Sequence, residues 1–135
     1  MLPTITSTDL SYNIVERKLA GSIDGVFIEA YAVSGGRSGS KLRGVADAAL
    51  SNNPYATHVK KTASRPGGPI VMGRYWLKTH ESEPNWIRLE AFPDNAMGTR
   101  DGFAIHGRGP RGSDGCIVPA DFHVVQLLYS QVKAR

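Results

Sequence analysis

Cysteine occurs once in the 135 residues, at position 116, so no disulfide can form within the chain and the fold must hold by packing and hydrogen bonding. Long apolar runs are missing as well: nothing approaches the roughly 18 consecutive apolar residues of a membrane span, which predicts no membrane insertion. The opening MLPTITSTDL lacks the basic and apolar regions of a signal peptide, predicting synthesis in the cytoplasm without Sec export. Zinc-finger spacing, ribonucleoprotein-type aromatic motifs and a continuous basic helix face are all lacking, which argues against nucleic acid as a partner. Internal repeats and composition breaks are absent too. The expectation is one domain over 1–135, with 1–9 a flexible or edge segment.

What is present is an ordinary globular composition, 41% hydrophobic, with a net charge of +4 carried by scattered lysines and arginines. That balance favours an anionic partner such as an acidic wall polymer or a membrane surface. Segments rich in aromatic and β-branched residues recur at 10–19, 22–34, 74–81, 86–92 and 103–107, each bounded by Gly, Pro, Asn or Asp. They predict a mainly β domain. The last stretch, ADFHVVQLLYSQVKAR, places Phe122, Val125, Leu128 and Val132 at helical spacing behind Pro119 and Asp121, which predicts a closing amphipathic helix. Between the second and third strands lies a polar segment, 35–69, with a short helix expected near 44–52. Its Gly, Ser and Asn content makes it a loop outside the core, expected to fold over a cleft.

The stretch FAIHGRGPRGSDGCIV, 103–118, concentrates the chemistry. Of the nine residues between His106 and Cys116, five are Gly or Pro, so the chain must turn sharply and approach something closely. Alternation puts His106 on one face of its strand, and Cys116 opens the next. If the two strands pair, imidazole and thiol stand side by side, the arrangement that generates a thiolate. Gly115 permits an unusual backbone angle just before the cysteine, and amides of such a turn can converge on an oxyanion. Two other readings fit the same residues. A lone thiol is commonly a small buried hydrophobe, and His58, His80 and His123 could join His106 and Cys116 as metal ligands, although no pair has close zinc spacing. Trp76 and Trp86 read as core residues, His58 and His80 as surface ones.

Taken together, IHG followed by S-x-G-C, with NNP at 52–54 and GPIVMGRYWL at 68–77, resembles the catalytic domain of the YkuD-like L,D-transpeptidases. In particular it is similar to a reduced branch found among type VI secretion effectors that attack peptidoglycan. The motifs span about residues 50–118. The resemblance implies a single YkuD-like domain with a C-terminal helix and a long loop covering the cleft. It implies that Cys116 attacks the diaminopimelate carbonyl of a tetrapeptide stem and expels D-alanine. His106 would serve as base and then acid, oriented by the Gly107 carbonyl. Ser113 would shape the turn, and amides around Asp114, Gly115 and Cys116 would form the oxyanion hole. Water as acceptor gives an L,D-carboxypeptidase, and a D-amino acid or second stem gives an L,D-transpeptidase. No metal or organic cofactor is implied.

Members of the family usually carry S-H-G-C, whereas Asp114 stands at the second position here, and the arginine that often follows the cysteine is missing. Arg100 or Arg108 is expected to take the stem carboxylate, with Tyr75 and His58 lining the substrate path. The implied partners are peptidoglycan stem peptides, an immunity protein and type VI secretion components, with action in the periplasm of a target cell. The rival readings are a non-catalytic wall-binding module on the same fold and a metal-dependent hydrolase.

Overall fold

The computed structural model describes residues 6–7, 10–23, 25–36, 50–60, 67–80, 82–98, 100, 102–107 and 115–134. Among the described residues eight strands make one sheet: β1 (Thr6–Ser7), β2 (Leu10–Asn13), β3 (Lys18–Ile23), β4 (Val26–Ser34), β5 (Tyr75–Thr79), β6 (Ile87–Ala91), β7 (Ala104–Ile105) and β8 (Ile117–Pro119). Their spatial order is β1-β2-β3-β4-β8-β7-β6-β5. Every pairing is antiparallel except β7 with β8, which is parallel. The sheet curls until its edge strands β1 and β5 meet, and helix α1 (Phe122–Ala134) packs on β5, β6 and β8. The fold is therefore mainly β with a C-terminal helix. The described part of the N-terminal segment is an edge strand.

Alternation builds the interior. Leu19 and Ile23 of β3 and Ile28 and Ala32 of β4 point inward, while Phe27 and Tyr31 point out. Ile87, Leu89, Ile105 and Ile117 continue the core across β6, β7 and β8. Val125, Leu128 and Val132 close it from the helix, whose start is capped by the Asp121 carboxylate accepting from the His123 amide at 2.9 Å. Each fully buried aliphatic side chain of this set stabilises the fold by about 1.5–3 kcal/mol.

Two strands expected from the sequence are each divided. The segment 10–19 turns back on itself because the Asn13 side chain accepts from the amides of Val15 and Glu16, both at 3.0 Å, leaving Asn13 paired with Lys18. The segment 22–34 begins inside β3 and turns between Ile23 and Val26. The polar segment 35–69 also departs from a surface loop. Leu50, Asn52 and Ala56 are buried, and Pro54–Ala56 form a single 3-10 turn. Most of the helix expected near 44–52 lies outside the described residues, as do 37–49 and 61–66 of the long segment.

A buried polar network ties this segment to the sheet. The Asn52 amide group donates to the Tyr12 hydroxyl at 2.7 Å and the Ile14 carbonyl at 2.8 Å, and its oxygen accepts from the Ser34 amide at 3.0 Å. Tyr12 donates in turn to the Ala32 carbonyl at 2.8 Å. Burial holds the Tyr12 hydroxyl protonated well above its usual range, with the Asn52 bond opposing the shift only in part.

Candidate active site

Parallel pairing of β7 and β8 decides where imidazole and thiol stand. Ile105 is in register with Ile117, and the His106 amide donates to the Ile117 carbonyl at 3.1 Å. Cys116 is thereby level with Ala104, and His106 with Val118. The two residues share one face of the sheet, the one opposite Ile105 and Ile117, but as diagonal rather than direct neighbours. Such neighbours have Cα atoms about 7–8 Å apart, within reach of a long side chain. This corrects the side-by-side expectation. A hairpin would have placed them directly opposite, and the two strands instead run the same way.

His106 is held from two directions. Its Nδ1 lies 3.2 Å from the Gly107 carbonyl, which can only accept, so the proton sits on Nδ1 and Nε2 is left as the basic atom. The Trp86 ring stacks on the imidazole with centroids 4.1 Å apart and planes 11° from parallel. His80 meets the other part of that indole edge-on at 5.7 Å, and its Nδ1 accepts from the amides of Ser82 and Glu83. A side chain at Gly107 would overlap the Phe122 ring, so the end of β7 is pressed against the start of α1. Trp86 and His80 were expected in the core and on the open surface. Both are half-buried, Trp86 on the imidazole and His80 against Trp86. The signal lay in register: Ile87 pairs with Ile105, so the next pair outward is Trp86 with His106. Trp76 likewise leaves the core, stacking on Phe92 at 4.1 Å with 44% of its surface exposed.

Cys116 is half-buried, and the residue before it is fixed from both sides. Gly115 has φ +129°, and a Cβ there would strike the Phe103 ring and the Arg100 guanidinium. Its carbonyl accepts from Ser34 Oγ at 2.9 Å, and that hydroxyl oxygen in turn accepts from the Ile70 amide at 2.9 Å. Arg100 is only 6% exposed. Its guanidinium donates to the carbonyls of Thr57, Pro69 and Gly68 and lies 4.9 Å over the Phe103 ring. Expected at a substrate carboxylate, it is instead turned onto the chain, clamping Thr57, Gly68 and Pro69 against the residue that precedes the thiol. That clamp was unreadable in the sequence, where Arg100 is one basic residue among many.

Tyr75 is also corrected. It is fully buried, donates its hydroxyl to the Val71 carbonyl at 2.6 Å and packs edge-on to Phe103 at 6.4 Å, so it shapes the core below the site and faces no substrate. Burial raises its hydroxyl well above the usual range. His58 is exposed, one residue beyond the Thr57 carbonyl that Arg100 holds. Ser113, Asp114 and Arg108 lie outside the described residues.

Among the described residues no group of three or more His, Cys, Asp or Glu side chains converges, which leaves the metal-hydrolase reading without a ligand set there. No helix among them is long and apolar enough to cross a membrane. No family model, curated protein or solved structure matches the chain. The site is therefore read from its own geometry: one thiol on a braced turn, and one imidazole on the same face with its tautomer set by a backbone carbonyl.

Proposed function

We propose that this chain is a cysteine-dependent enzyme that modifies peptidoglycan stem peptides, an L,D-carboxypeptidase or L,D-transpeptidase with the YkuD-like catalytic arrangement. The observation that carries the reading is the His106 ring, fixed by Trp86 and the Gly107 carbonyl on the sheet face that also bears the sole thiol. Rigid placement of a base beside a nucleophile is what thioester chemistry needs, and packing alone does not call for it.

In the proposed reaction His106 Nε2 takes the Cys116 proton and the sulfur attacks the carbonyl carbon of the third stem residue. Amides of the turn at Gly115 and Cys116 receive the oxyanion, and the buried Arg100 charge beside Gly115 complements it. The tetrahedral intermediate collapses to a thioester as the C–N bond breaks, and His106 returns its proton to the departing D-alanine amine. Water or an amine, deprotonated by His106, then attacks the thioester and releases Cys116. The resemblance to type VI effectors extends the proposal to action in the periplasm of a rival cell, with an immunity protein covering the site in the producer. Incubation with purified tetrapeptide muropeptides, with and without D-methionine, tests the activity by mass spectrometry. Loss of alanine or its replacement supports it, and unchanged muropeptides overturn it.

A further inference from the structure

Asn52 holds a backbone conformation that L side chains seldom adopt. Its φ is +52°, in the left-handed region, and only 6% of its surface is exposed. Asparagine tolerates this region better than most residues. A buried residue persists there only where its surroundings fix it, and such positions gather at functional sites.

The residue it serves is Ser34. The Asn52 amide donates to the Ser34 carbonyl at 2.9 Å, and its Oδ1 accepts from the Ser34 amide at 3.0 Å. One residue thus closes both backbone groups at the last position of β4, as a neighbouring strand would. From the far side, the Nδ2 bonds to Tyr12 and Ile14 hold the Asn52 side chain in that orientation. Ser34 in turn straddles the thiol. Its hydroxyl donates to the Gly115 carbonyl, and its backbone is in register with Ile117 on β8. The residues before and after Cys116 are therefore both tied to one residue of β4, and Asn52 fixes that residue.

We propose that Asn52 is a positioning residue of the active site, holding Cys116 within reach of His106 by fixing Ser34. The assignment rests on Cys116 and His106 acting as nucleophile and base. Their diagonal placement makes the brace matter, because Cα atoms about 7–8 Å apart leave little slack for thiol and imidazole to meet. Loss of the Asn52 side chain frees the end of β4, and both flanks of Cys116 shift with it. Tyr12 belongs to the same network but lies beyond Asn52, on the side away from the thiol. Its hydroxyl supports the fold without touching the Ser34 link.

The test compares the intact protein with its Asn52→Gly and Tyr12→Phe variants on a tetrapeptide stem. Glycine suits the left-handed backbone and keeps its amide, but removes Oδ1 and Nδ2. Phenylalanine removes the Tyr12 hydroxyl and leaves Asn52 bonded to Ser34 and Ile14. Both variants strip buried bonds, so both should lower the urea midpoint. Only Asn52→Gly should lower kcat, by about 10- to 100-fold with KM changed by less than about twofold, the pattern of a misplaced nucleophile. Tyr12→Phe should keep kcat within about twofold. If Asn52→Gly does not fold, hydrogen exchange in the intact protein decides: the Ile70 amide, held by Ser34 Oγ, should be protected to within about threefold of the Ser34 amide, held by Asn52, as one cooperative unit requires. Native kcat in folded Asn52→Gly, equal kcat losses in both variants, or a freely exchanging Ile70 amide beside a protected Ser34 overturns the positioning role while leaving the nucleophile standing. Failure of the intact protein to acylate Cys116 overturns both.

Discussion

Ser34→Ala is the sharpest probe of how the fold presents the thiol. Ser34 is fully buried, and its hydroxyl joins three segments far apart in sequence: it sits on β4, donates to the Gly115 carbonyl and accepts from the Ile70 amide. Alanine keeps the strand and the packing volume but removes one bond from each of these two buried groups. Each lost buried bond costs about 1–3 kcal/mol, so the variant should lose about 2–6 kcal/mol. Domains of this size are stable by about 5–15 kcal/mol, so a stability of about 10 kcal/mol leaves the variant folded at room temperature. With a urea slope of about 2 kcal/mol/M, the expected shift of the unfolding midpoint is about 1–3 M. The catalytic effect is separate. Without the Ser34 bond Gly115 holds Cys116 less firmly, and a displacement near 1 Å costs up to about 100-fold in rate. The assay is a urea titration followed by tryptophan fluorescence, with kcat measured on folded protein. A midpoint moved by less than about 0.2 M with kcat intact would refute the brace.

His106→Gln and Cys116→Ala should each abolish turnover without unfolding the protein, and the double variant should be no worse than either alone, because the two act as one unit; additive losses would contradict a shared mechanism. Trp86→Ala removes the stacked face of His106, a contact worth about 0.5–1.5 kcal/mol beyond its buried area, and should lower kcat by about 3- to 10-fold with KM little changed. An unchanged kcat would make the stack incidental. Tyr12 and Tyr75 have folded-state hydroxyls raised far above the unfolded value, so their stabilisation is complete below about pH 10 and drains away as the pH rises beyond it. Their ionisation, followed by ultraviolet absorbance, should coincide with alkaline unfolding rather than precede it.

Periodicity made part of this fold legible. Strands β5 and β6 and the final helix sit where the alternating and helical patterns put them, because each faces one core and carries one clear stripe. The two hairpin turns inside the expected strands 10–19 and 22–34 were missed by pattern, and local chemistry is what signals them. Asn13 and the Asp-Gly pair at 24–25 are turn formers inside what hydropathy alone reads as two long strands. What could not be read was the polar interior. Asn52, Ser34 and Arg100 carry their bonds to partners 18 to 81 residues away, and nothing in their local sequence distinguishes them from loop residues. The candidate pair was visible as a spacing, whereas its diagonal geometry depended on the parallel direction of β7 and β8, which a short glycine-rich connection does not announce. Trp86 shows the same limit, since a tryptophan at a strand start gives no hint that its ring will cover a histidine.

The most direct measurement is the intact mass of the protein after brief incubation with a tetrapeptide stem ending in D-alanine, followed by acid quench and peptide mapping. The account predicts a tripeptide acyl adduct on the peptide containing Cys116, release of one D-alanine per adduct, and no adduct on Cys116→Ala. Release of D-alanine by the Cys116→Ala variant, or unmodified Cys116 and intact substrate with the native protein, would contradict it.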